Sequence, residues 1–140
     1  MIALHFLQYL HDNGFGVIQD DLWYGQLPLG DQYSSGSEDI AVIEVGGQLT
    51  KKGICRQELE IWGRACNGKW PLMAKRLASI IEFIKNECCP ELPPIANGCC
   101  IEPAHTYNYV FIKPISNVEN LGVDEENNML YRVRVEIDYK

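Results

Sequence analysis

The chain has 140 residues, of which 46% are hydrophobic and 22% are charged, and its formal net charge is −7. This length suits a single domain over residues 1–140, and the composition is that of a folded protein and excludes disorder along most of the chain. The acidic balance excludes a broad basic face for nucleic acid, and no apolar run reaches the roughly 18 residues of a membrane span.

The N-terminal segment carries the pattern of an amphipathic helix. Apolar residues recur at i, i+4, i+7 and i+8 from Ile2, which predicts a helix over Met1–Asp12 that ends at Asn13-Gly14. The segment lacks a basic n-region and a small-residue cleavage site, so it does not resemble a signal peptide. We therefore expect a soluble chain that is made in the cytoplasm.

A short strand and a long surface loop are predicted next. Residues 22–25 are rich in aromatic side chains, as strands are, and Pro28–Asp39 is a Gly-, Ser- and Asp-rich loop that contains Tyr33. The apolar, β-branched run Ile40–Val45 then predicts a strand that is covered on both faces. The glycines Gly46-Gly47 predict the end of this strand or a bulge in it.

Residues 55–64 alternate between apolar and polar side chains, which predicts a strand with one face on a core and one face in water. Trp62 lies on the polar face, and a large aromatic residue there indicates a surface that something else covers. The cover is either a partner or the chain's own loop 28–39, and the sequence leaves both open. The predicted interface residues are Trp62, Tyr33, Gly46 and Gly47.

A second helix is predicted from Trp70-Pro71 to Cys88. Proline suits the first turn of a helix, where its missing N–H costs nothing, and the apolar residues that follow form one stripe. The prolines within 90–97 prevent its continuation and predict a loop.

The last part of the chain predicts two more strands and completes the fold class. Residues 107–112 and 129–137 both alternate, and the turn residues at 124–128 predict a hairpin-like connection between them. The expected fold is α+β: a single domain with a mainly antiparallel or mixed sheet of four to five strands, packed by two helices.

Four of the six cysteines form two adjacent pairs, Cys88-Cys89 and Cys99-Cys100, close to His105. Zinc ligands are usually separated by two to four residues, and neighbouring side chains diverge, so this pattern disfavours a metal site. Free thiols and a single disulfide between the pairs both remain open. Cytoplasmic synthesis favours reduced thiols, whereas later release into an oxidising medium favours a bridge.

The sequence contains no motif of an enzyme. None of the three histidines has a nucleophile or a carboxylate at a spacing that fixes a triad. The glycines at 46 and 47 lack the later glycine, lysine and hydroxyl residue of a phosphate loop. Carboxylates recur on the polar strand faces, where acids are usually a solvated surface: Glu58, Glu60, Glu136 and Asp138. We therefore expect no catalytic site and no cofactor.

Three motifs follow the N-terminal helix in order: Tyr24-Gly25-Gln26-Leu27-Pro28, Ile40-Ala41-Val42-Ile43-Glu44-Val45-Gly46-Gly47 and Leu121-Gly122-Val123-Asp124-Glu125. In this order and spacing the chain resembles the minor capsid or tail-completion proteins of tailed bacteriophages, a group that includes the tail terminators. The similarity covers nearly the whole length. The cysteine pairs and the loop 90–97 depart from the pattern. No residue-specific role is carried over, because the matching motifs are architectural.

The resemblance implies a structural virion protein without enzymatic activity. It implies a tail terminator-like α+β subunit that forms a ring with itself, commonly a hexamer, between the tail tube protein and a head-side connector or neck protein. DNA would pass through the lumen without sequence-specific binding, and no membrane would be involved. An alternative within this class is a head-completion or connector protein docked on the portal side. An alternative from another class is a small-ligand binding module.

Overall fold

A mixed β-sheet carries two helices on one of its faces. The computed structural model describes residues 2–28, 38–50, 52–66, 68–87, 90–92 and 110–140. These residues form a single α+β domain, which confirms the predicted fold class. The elements in chain order are α1 Ile2–Asp12, β1 Leu22–Tyr24, β2 Glu38–Leu49, β3 Cys55–Ala65, α2 Trp70–Asn86, β4 Val110–Pro114, β5 Glu119–Val123 and β6 Met129–Tyr139.

The strands follow the order β1-β2-β3-β6-β4, and β5 also pairs with β6. The pair β1 and β2 is parallel, and the other pairs are antiparallel. β3 lies along the whole of β6, so β4 and β5 share the other edge of β6, end to end. The six strands therefore occupy five positions, and β5 is the strand that the sequence did not predict.

The end of α1 shows why the helix stops where the sequence predicts. Gly14 has a φ of 82°, a left-handed conformation that glycine adopts without steric cost. The Gly14 N–H donates to the His11 carbonyl at 3.0 Å, and the Phe15 N–H donates to the Leu10 carbonyl at 2.9 Å. These two bonds are those of a Schellman motif, which satisfies the last carbonyls of the helix.

Helix α2 packs closely on β3. Its predicted apolar stripe is buried, and Gly63 of β3 lies beneath it. A Cβ atom at Gly63 would lie 2.6 Å from Met73 Sδ and 3.0 Å from Leu77 Cδ1, so only glycine permits this approach. In the described part of the chain, neither helix combines the length and the apolar character that crossing a membrane requires.

Aromatic rings join the two helices over the sheet. The Tyr9 ring lies 5.7 Å from that of Phe83, and the Phe15 ring lies 5.3 Å from the same partner. Such tilted and edge-on pairs add to the burial of apolar area. Burial, together with the charge of Glu87, raises the pKa of the Tyr9 hydroxyl. The rings therefore fix both helices on the same face of the sheet.

β2 differs from the prediction in two respects. The glycines do not end it: the strand continues to Leu49, and a bulge lies between Glu44 and Gly46, so the alternative reading as a bulge is confirmed. Only the first half is covered on both faces, since residues 40–42 are fully buried whereas Val45 is 51% exposed. The prediction that the whole run is covered on both faces is wrong, since full burial ends at Val42, where the pairing of β2 with β1 also ends.

Candidate interaction surface on the helix-free face

The face of the sheet opposite the helices, here called the open face, is built from alternate residues of β2, β3, β6 and the edge strands. The predicted polar side of β3 forms its centre, and β6 contributes the matching side chains. No described helix packs on it. Its charged members are Arg56, Glu58, Glu60, Lys113, Glu119, Arg132, Arg134, Glu136 and Asp138.

Arg56 anchors one end of a charge network on the open face. Its Nε and Nη2 atoms donate to the two Asp138 oxygens at 2.8 and 3.0 Å, and its Nε lies 3.4 Å from Glu136. Two parallel donors on one carboxylate give a stronger and more directional pair than a single contact. The hydrogen bond from Arg56 holds the pKa of the Asp138 carboxyl below its usual value.

Arg132 and Arg134 continue the network toward β5. Arg132 donates to Glu119 at 2.8 Å and to Glu60 at 3.4 Å, and Arg134 donates to Glu119 at 3.1 Å. The hydrogen bond from Arg132 lowers the pKa of the Glu119 carboxyl. A carboxylate with a lowered pKa is ionised at neutral pH and does not serve as a general acid. Glu119 and Asp138 are therefore suited to holding their arginine partners, and are not suited to donating protons.

Acid should remove the stabilisation that Glu119 and Asp138 provide. Their pKa values are lower in the folded protein than in the unfolded chain, where ordinary carboxyl values are about 4. The contribution is therefore complete above about pH 4 and is lost as the pH falls through the lower folded values. We expect the urea midpoint of unfolding, measured across this range, to fall with the pH.

A matched pair of variants assigns this effect. Arg132→Gln removes the donor to Glu119, so its urea midpoint should fall less on acidification than that of the wild type. Lys85→Gln removes an exposed cation whose ion pair is with its helix neighbour Glu82. The urea midpoint of this variant should fall on acidification as that of the wild type does. Equal falls in all three proteins would contradict a role of the Arg132 contact in acid stability.

Trp62, the predicted interface residue of β3, lies half-buried on the open face. Its indole Nε1 donates to Glu60 Oε1 at 3.2 Å, so the ring is oriented by the charge network. The structure thus places Trp62 beside Arg132, its cross-strand neighbour on β6. Tyr33 lies outside the described residues.

Arg64 corrects the prediction that all of the polar side of β3 faces water. Its side chain is only 6% exposed and lies 3.3 Å from Asp39, whose side chain is 3% exposed. Arg64 also donates to the Pro28 carbonyl at 2.8 Å, and Trp23 donates to Asp39 at 3.1 Å. Arg64 is therefore buried between Asp39, its cross-strand neighbour on β2, and the chain at Pro28, and sequence alternation alone gave no signal for it.

A depression of about 210 Å³ lies at the other end of the open face, where β2 carries the bulge. Gly46 and Gly47, two of the predicted interface residues, line it; a Cβ atom at Gly46 would meet nothing within 4 Å, so the missing side chain there leaves the space open, whereas a Cβ atom at Gly47 would lie 2.8 Å from Gln57 Oε1. Gln57 Nε2 donates to the Gly46 carbonyl at 2.6 Å and fixes the backbone there. The other lining residues are Gln48, Arg56, Glu58 and Glu136.

The predicted thiol cluster cannot be placed, because Cys88, Cys89, Cys99 and Cys100 lie outside the described residues, as does His105. Cys55 and Cys66 are free thiols. His5 is buried in α1, because that face of the helix lies against the core. The His11 Nδ1 atom lies 2.8 Å from the Gly16 carbonyl, a local contact at the end of α1.

Exposed apolar side chains collect at the two opposite edges of the sheet. Tyr24, Val45 and Leu49 are exposed on the β1 and β2 side, and Leu49 is 75% exposed. Exposed apolar residues also lie on or between the strands of the other edge: Phe111, Ile115, Leu121 and Val123. Sequence reasoning missed these residues, because their exposure depends on which strands lie at the edges.

No known protein family matches the chain by sequence, and no curated protein matches it.

Proposed function

We propose that the chain is a structural virion protein of a tailed phage, a tail terminator that forms a ring, commonly a hexamer, on the end of the tail tube. The ring would join the tube to a head-side connector or neck protein. The ordered motifs of the sequence support this proposal, and so does an α+β subunit whose surface is suited to contact. The protein acts by binding, and the proposal includes no catalytic step and no cofactor.

The observation that carries the proposal is the presence of two different apolar edges on one sheet. Val45 and Leu49 mark one edge, and Phe111 and Val123 mark the other. A ring requires a heterologous interface, in which one patch of a subunit meets a different patch of the next. Exposed strand edges are also ready sites for pairing with another chain.

The charges of the open face support a ring through which DNA passes without being bound. Arg56, Arg132 and Arg134 on that face are each paired with a carboxylate, Lys113 lies opposite Glu136 of β6, and the chain as a whole carries a charge of −7. Nucleic-acid affinity depends on basic side chains that are available to phosphates. A lumen formed by such subunits would hold DNA without sequence-specific binding.

The alternatives differ in how well the surface supports them. A head-completion or connector protein on the portal side would use the same two edges, so its position in the particle distinguishes it from a terminator. A small-ligand binding module would use the depression at Gly46 and Gly47. At about 210 Å³ this depression is smaller than the roughly 300–1,000 Å³ of typical ligand pockets.

Native mass spectrometry of the purified chain, alone and with a tail tube, tests the proposal. We expect a closed oligomer of one size, formed by the free protein or on addition of tube ends. Electron microscopy of the particle should then show this oligomer between the tube and the head. A chain that stays monomeric both alone and with tube ends would contradict the proposal.

A further inference from the structure

The second half of β2 has a free edge. β1 pairs with β2 only through residues 40–42, so residues 43–49 have β3 on one side and, within the described ranges, no strand on the other. Val45 and Leu49 are exposed along this stretch. The backbone groups of such an edge are available for an additional strand.

β4 lies at the opposite edge of the sheet, at the same level along the strand direction as the second half of β2. β4 pairs with β6 on one side, and among the residues that the structure describes no strand lies on its other side. Phe111 of β4 is 48% exposed. Lys113 is also exposed, and none of the ion pairs in the described part of the chain includes it.

The registers of the sheet show that the two edges match. Two rows of directly paired residues cross the sheet from β2 through β3 and β6 to β4. The first row is Gly46, Glu58, Glu136 and Lys113, and the second row is Gln48, Arg56, Asp138 and Phe111. β2 and β4 run in opposite directions, because three antiparallel pairings separate them. A second copy rotated about an axis along the strands would therefore present β4 antiparallel to β2, with the open faces on the same side.

The depression beside β2 has the chemistry to receive the side chains of β4. Glu58, one of its lining residues, takes part in no ion pair of the described residues. In the matched register, Lys113 of a second copy would lie in the row of Glu58, two strand spacings or about 10 Å away between backbones. Only Gly46 lies between them in that row, and it has no side chain to separate them.

From these observations we infer that the β2 edge of one copy binds the β4 edge of the next as an antiparallel strand pair. In this contact Lys113 of the second copy pairs with Glu58 of the first across Gly46. Phe111 lies in the row of Gln48, diagonal to Gly46, and covers that side of the depression, which an aromatic side chain can reach from a diagonal position. The inference rests on the proposed ring and names the contact that would build it.

Two charge reversals, Lys113→Glu and Glu58→Lys, test the contact. Each variant alone places like charges together at every contact, so we expect its self-association to weaken by at least about tenfold. Mixed in equal amounts, the variants should associate again, because each contact in an alternating assembly then joins opposite charges. Native mass spectrometry with one variant labelled with ¹⁵N should show both chains in equal number in each oligomer.

A third variant and a folding measurement serve as controls. Lys85→Glu makes the same change in net charge as Lys113→Glu, on the exposed side of α2, and should associate as the wild type does. Circular dichroism on heating should show that all three variants fold.

Each outcome distinguishes the contact from the proposed function. A ring that forms equally well in both single variants would overturn the contact and leave the ring proposal standing. Loss of association in Glu58→Lys alone would show that Lys113 takes no part in the contact and would also overturn it. A mixture of the two charge-reversed variants that fails to associate would also overturn the contact. Open filaments that are lost in each single variant and restored in the mixture would support the contact and contradict a terminator.

Discussion

Replacing Asp39 by alanine should lower the free energy of unfolding by about 3–5 kcal/mol, because it leaves a guanidinium buried without its carboxylate. The Arg64 side chain is 6% exposed and lies 3.3 Å from Asp39, so water cannot replace the lost charge. Trp23 loses its acceptor in the same substitution. Urea unfolding at neutral pH, followed by circular dichroism, measures the difference.

An exposed ion pair serves as the matched control for Asp39→Ala. Glu82 and Lys85 form a pair on the surface of α2, with side chains that are 68% and 52% exposed. Glu82→Ala should change the free energy of unfolding by no more than about 0.5 kcal/mol, since exposed pairs contribute little. Equal losses in the two variants would contradict the view that burial gives the Asp39 contact its importance.

The second large effect is expected at Phe6, which is fully buried in the core. Its ring stacks on that of Tyr9 at 5.9 Å, and Tyr9 in turn contacts Phe83 of α2. Phe6→Ala should lower the free energy of unfolding by about 3–5 kcal/mol, because it removes a large buried side chain and leaves a cavity. The same urea measurement tests it.

Phe111→Ala is the control for this substitution, since it makes the same chemical change at an exposed position. Its free energy of unfolding should stay within about 0.5 kcal/mol of the wild type. Its self-association should weaken if Phe111 covers the depression of a neighbouring copy. A core substitution at Phe6 that costs no more than the one at Phe111 would show that α1 is not packed as described.

The helices and the long strands could be predicted because their patterns are local. In α2, proline at the start and apolar residues at helical spacing are both visible within 17 residues. The alternation of β3 and β6 likewise requires only neighbouring residues. Gly14 marks the end of α1 in the sequence, and the structure uses its left-handed conformation there.

β5 could not be predicted because its pattern is interrupted. Gly122 has a φ of 94° and lies at a register shift relative to β6, so the strand shows no regular alternation. Arg64 posed a different problem, since its carboxylate partner is 25 residues away along the chain and only the folded sheet brings them together.

The candidate surface was predicted in its residue types and not in its contacts. The alternation of β3 placed Glu58, Glu60 and Trp62 on one side, and the structure confirms this side as the open face. Which carboxylate each arginine binds depends on the register between β3, β5 and β6, as the position of Arg132 between Glu60 and Glu119 shows. A single sequence contains no direct signal for that register.

The bulge in β2 has a consequence for the shape of any larger assembly. Val45 is the extra residue, and an inserted residue bends its strand and increases the local twist. A neighbour that joins the bent half would be tilted by the same angle at every addition, and a ring closes when these equal tilts add up to one full turn without a shift along the axis. One inserted amino acid would then determine the diameter of the central passage.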